Sequence, residues 1–109
     1  MNPYKAIDFI LDNAPKYAKA KAERIYLEEF RKSKKALLMQ DAQLRKIESA
    51  AAQEREAYAH QDYQALLKGI SAAVEIEETL RWQLEAARLN TEIWRTEQAN
   101  ARAEGRATA

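Results

Sequence analysis

Apolar residues recur along this chain at the three-and-four spacing of helices rather than the alternating spacing of strands. Tyr4, Ile7, Ile10 and Leu11 share one face of a short first helix. Asn2 suits its cap and Pro3 its first turn, while Pro15 disfavours helical geometry at Ala14, so this helix is expected over about 3–13. From Pro15 to Tyr58 neither glycine nor another proline occurs. Phe30, Ser33, Leu37, Gln40, Leu44, Ile47, Ala51, Glu54 and Tyr58 step by alternating threes and fours, with Tyr26 extending the row upstream. This is a heptad seam, imperfect at Gln40 and Glu54, and it predicts a second helix over 15–58. The turn is expected at Ala59-His60-Gln61-Asp62, with Asp62 capping the next helix. Tyr63, Leu66, Ile70, Ala73, Glu77, Leu80, Leu84, Ala87, Thr91 and Trp94 form a second seam on a third helix over 62–100. The tail 101–109, which holds Gly105, is expected to fray.

The predicted fold is therefore all-α. A short N-terminal helix joins a long antiparallel, coiled-coil-like hairpin, and 1–109 form a single helical domain. Trp94 is expected in the core. Gly69 inside the third helix costs about 1 kcal/mol relative to alanine, which a close helix–helix approach would explain. Leu27, Leu38, Leu67, Val74, Ile76 and Leu89 lie off the two seams and widen the apolar stripe beyond what one partner helix covers, and Trp82 also lies off them. Leu38, Leu67, Val74 and Trp82 are the expected interface of a homo-oligomer, a dimer or higher, assembled as a helical bundle.

Composition agrees with long helices. The 109 residues include only two glycines and two prolines. There is no cysteine, hence no disulfide or thiolate metal site, and a reducing compartment fits. No apolar run approaches the roughly 20 residues that span a bilayer. The first residues lack the basic-then-apolar order of a signal peptide, so a cytoplasmic protein is expected.

Net charge is only +1, but it is unevenly placed. Residues 1–40 hold nine Lys/Arg against five Asp/Glu, and residues 41–109 hold nine against twelve. At about 100° per residue, Tyr17, Lys21, Arg24, Arg31, Lys32 and Lys35 share one arc of the second helix, opposite Tyr26, Phe30 and Leu37. If the apolar side is buried, this is a basic stripe facing solvent. It would be either an ordinary solvated helix face or a surface for phosphates, with Tyr17 stacking on a base.

Catalytic chemistry finds few residues. His60 is the only histidine and is expected to be a turn residue. No Glu-x-x-His pair, phosphate loop or dinucleotide glycine motif occurs. Glu75, Glu77 and Glu78 cluster, and Glu77 sits on the seam. Pairing with Lys34 or Lys35, or a polar layer that fixes register, is the expected role rather than a metal site. No enzyme activity, cofactor or metal is expected.

Tyr4-Lys5-Ala6-Ile7-Asp8, Asn13-Ala14-Pro15-Lys16-Tyr17-Ala18, the run from Tyr26 to Leu38, Gln53–His60 and Leu80-Arg81-Trp82 resemble a group of small helical phage and prophage proteins. The resemblance covers most of the chain. It implies a phage setting, among early-region genes that include single-strand annealing and other recombination genes, and carries over no site residues. The expected function is an accessory role in DNA replication or recombination, binding single-stranded DNA or a DNA-bound protein. The alternatives are an interaction module that inhibits or redirects a host nuclease or defence complex, and a structural or assembly protein.

Overall fold

Asn2 opens the first helix as expected, its Oδ1 accepting from the Lys5 amide at 2.8 Å. The computed structural model describes residues 2–108, and these are all-α. They form α1 (Pro3–Leu44), α2 (Ala50–Ala59) and α3 (Gln61–Thr108).

The expected short first helix does not end at Asn13, because α1 passes through Pro15. The proline cannot donate to the Leu11 carbonyl, but both residues are exposed and water can take that acceptor. One turn earlier, the Asn13 side chain donates to the Phe9 carbonyl at 2.8 Å.

The expected helix over 15–58 instead breaks at 45–49. Lys46 takes a left-handed φ of 70°. Its amide donates to the Gln43 carbonyl at 3.0 Å, and the Ile47 amide reaches Ala42 at 3.1 Å. These are the two bonds of a Schellman ending, with a lysine where glycine is usual. Ser49 then caps α2, its hydroxyl accepting from the Ala52 amide at 3.0 Å, and the Gln53 side chain donates to the Ile47 carbonyl at 2.8 Å.

This break is where the chain reverses. Arg45 pairs with Glu56, Lys34 with Asp62 and Arg24 with Glu77, so partner numbers rise as the α1 numbers fall. The expected turn at 59–62 shrinks to one extended residue, His60, between α2 and α3. His60, not Asp62, caps α3. Its Nδ1 accepts from the Asp62 amide at 2.9 Å and its carbonyl accepts from Gln64. Asp62 lies in the first turn, where its carboxylate suits the helix dipole.

The single domain expected from length resolves into two compact units, Met1–Lys19 with Glu78–Ala109, and Ala20–Glu77. In the first, Ala6 and Ala87 are buried, and Ile10 and Tyr17 share a groove with Leu84 and Arg88. In the second, Leu38, Ala57 and Tyr63 form a small core with Met39 and Leu67 packed on it.

Alanine dominates the buried set: Ala6, Ala42, Ala57, Ala73 and Ala87 against only Leu38 and Tyr63 among larger apolar residues. In the second unit the inward row of α1 runs through Ala20, Arg24, Leu27, Lys34 and Leu38. The expected row through Tyr26, Phe30, Ser33 and Leu37 is one residue out of step, about 100° around the helix. Tyr26, Leu37 and Leu44 are accordingly exposed.

The α3 seam follows expectation through Thr91 and then ends. Trp94, expected in the core, is exposed. The helix nevertheless continues past Asn100 to Thr108, carried by strong helix formers such as Ala101, Arg102 and Ala103.

Gly69 has no close helix neighbour, since a Cβ added there meets nothing within 4 Å. Gly69→Ala is expected to raise stability by about 0.5–1 kcal/mol in urea denaturation. Lys46→Gly, by relieving the left-handed residue, should add about 0.5–1 kcal/mol, whereas Ser49→Ala should remove about 1 kcal/mol. A neutral or destabilising Lys46→Gly would contradict the reversal at 45–49.

Candidate functional site

The one-residue offset turns part of the basic stripe, Arg24 and Lys35, toward the partner helices and leaves Lys21, Arg31 and Lys32 in solvent. Arg24 lies against Glu77 in a two-point contact, Nε to Oε2 and Nη2 to Oε1, the latter at 3.1 Å. Glu77 is the one buried charged residue among those described. It sits on the seam as expected, but its partner is Arg24 rather than Lys34 or Lys35. The hydrogen bond to Glu77 is the largest influence raising the Arg24 pKa, with Glu28, 2.9 Å away, contributing further.

Lys35 is drawn inward too. Its Nζ lies 3.0 Å from Glu54 and 4.8 Å from the centre of the Tyr58 ring. Its pKa is raised by Tyr58 first and Glu54 second, and the hydrogen bond from Lys35 lowers that of Glu54. Of the remaining stripe, Lys21, Arg31 and Lys32 are exposed, and Lys32 pairs with Glu29 at 3.3 Å. Tyr17 belongs to the other unit, where it is half-buried in the groove with Ile10, Leu84 and Arg88. The six candidates therefore do not form one solvent-facing surface.

The expected oligomer contacts are likewise redistributed. Leu38 is buried and Leu67 packs against it, so both serve the chain's own core. Val74 is half-buried. Trp82 stays 60% exposed, with the Arg81 guanidinium 4.5 Å from its ring.

The larger unexpected surface lies in unit Ala20–Glu77. Ala20, Glu23, Leu27, Gly69 and Ile76 line a groove of about 220 Å³ between α1 and α3. Tyr26 and Phe30 adjoin it, three and seven residues on from Glu23. Their rings stack at 6.0 Å with 14° between planes. Leu37 and Leu44 continue the same face at heptad spacing. Sequence reasoning assigned Tyr26, Phe30, Leu37 and Leu44 to the interior seam, and left Leu27 and Ile76 off the seams as surplus apolar surface.

No group of three or more His, Asp or Glu suited to a metal ion occurs among the described residues. No described helix is long and apolar enough to cross a membrane.

The Lys35–Glu54 pair supplies a pH dependence. A carboxylate whose pKa is lowered on folding stabilises above its ordinary range and loses that contribution as pH falls through the folded value. Glu54→Gln should therefore lower the urea midpoint at neutral pH. The difference from wild type should shrink as pH falls below the ordinary glutamate range near about 4. A gap that stays constant with pH would contradict this pairing.

Compared with known proteins, the chain matches no family model, no curated protein and no solved structure.

Proposed function

We propose that this chain is a non-catalytic helical docking protein that engages another protein through an apolar helix face. The supporting observation is the division of labour among its side chains. Arg24, Lys34, Lys35, Arg45, Arg81 and Arg88 are all engaged in ion pairs within the chain. Tyr26, Leu37, Leu44 and Ile76 stand exposed. Large apolar residues left in water at helical spacing suit the helix-in-groove mode of recognition. In the phage setting that the sequence resembles, such a protein would act as an accessory in DNA replication or recombination by holding a protein component. The same chemistry would serve to block or redirect a host nuclease or defence complex. The homo-oligomer expected from surplus apolar surface fits this reading, with the interface moved from Leu38 and Leu67 to the residues that are exposed.

Direct binding of single-stranded DNA is the second reading, favoured by the exposure of Lys21, Arg31 and Lys32 along α1. Fluorescence anisotropy with a labelled oligonucleotide separates the two. Docking through apolar residues predicts no saturable binding at low salt. Saturable, salt-weakened binding that disappears in the triple variant Lys21→Glu, Arg31→Glu, Lys32→Glu would establish the DNA reading instead.

A further inference from the structure

The groove between α1 and α3 in unit Ala20–Glu77 is lined by Leu27 and Ile76, and Tyr26, Phe30, Leu37 and Leu44 follow along the adjoining side of α1 at helical spacing. We propose that the occupant of this face is a second copy of the chain, whose own α1 lies along the groove so that two hairpins close into a four-helix bundle. The inference rests on the docking reading and names its partner.

Area supports a second copy. Tyr26, Leu37, Leu44 and Ile76 are 62%, 55%, 78% and 56% exposed. At about 200 Å² for the tyrosine and somewhat less for each leucine or isoleucine, they offer roughly 400–500 Å². A standard interface covers about 800 Å² per partner, some 56–65% of it apolar, or about 450–520 Å². One face thus supplies the apolar share that a stable dimer needs. A two-fold arrangement presents the same face from both copies, so no second apolar surface is required.

Charge points the same way. Residues 20–77 carry ten Lys/Arg and ten Asp/Glu, a balance of zero. A neutral unit meets no net repulsion from its own copy and exerts little long-range pull on a polyanion. The floor of the groove permits close approach as well. Gly69 lines it, and the space above that residue is empty to 4 Å within the chain. A neighbouring helix can therefore come nearer at Gly69 than at a residue with a side chain.

Sedimentation equilibrium of the full chain, with helicity followed by circular dichroism, tests this. The wild type is expected at twice its 12.5 kDa mass. Ile76→Glu, Tyr26→Glu and Gly69→Trp should each weaken the dimer by about tenfold or more, the scale of losing one buried apolar side chain. None of the three should reduce helicity, since Ile76 and Tyr26 are exposed and Gly69 has open space. Trp82→Glu, outside the face, should leave the dimer unchanged. A wild type that is monomeric throughout, or a dimer indifferent to the three substitutions, overturns the second-copy assignment. The docking reading is judged separately, by capture on the immobilised chain. A monomeric protein that captures a partner released by Ile76→Glu keeps that reading while losing this one, and a monomeric protein that captures nothing loses both.

Discussion

The contact between Arg24 and Glu77 sets how α1 faces α3 in the central unit. A carboxylate as buried as Glu77 is tolerated only when paired and hydrogen-bonded. The guanidinium of Arg24 answers it at two points, a geometry that a lysine cannot reproduce. Rotating α1 by one residue would turn Arg24 away and strand that charge. The alternative seam through Tyr26, Phe30 and Leu37 would bury more apolar surface but offers no cation opposite Glu77. The pair thus works as a register device, and its weight lies in excluding the other rotation.

Alanine at the seam follows from the same arrangement. Ala42, Ala57 and Ala73 are buried but bury little area each. The stability of such a seam depends on short packing distances and paired charges more than on bulk. The consequence is outward display of the large residues. Exposed Tyr26, Leu37, Leu44 and Ile76 are the other side of an interior built from small ones.

Helical class, antiparallel pairing, the cap at Asn2 and the α3 seam to Thr91 were legible in the sequence because each follows from local propensity or spacing. The reversal was not. Lys46 occupies a left-handed position usually marked by glycine, so 45–49 lacks the normal punctuation; Ser49 ahead of an alanine run was the available signal. Pro15 misled in the opposite sense, as an exposed proline can sit within a helix whose lost acceptor is hydrated. The rotation of α1 was hidden because two heptad rows one residue apart both exist, and the larger side chains mark the wrong one. Charge distribution held the clue: a basic N-terminal half and an acidic C-terminal half read naturally as two faces of one contact. The candidate site inherited that rotation, so Arg24 and Lys35 were placed outside and Tyr26 and Leu37 inside.

The register claim is tested most directly by a charge-swap cycle at the buried pair, read by urea denaturation. Arg24→Glu and Glu77→Arg should each destabilise the protein strongly, and the two together should recover a large part of the loss, because the attraction is restored with its sign reversed. Additive losses in the double variant, or recovery when Glu77→Arg is combined instead with Lys34→Glu or Lys35→Glu, would contradict Arg24 as the residue that orients α1.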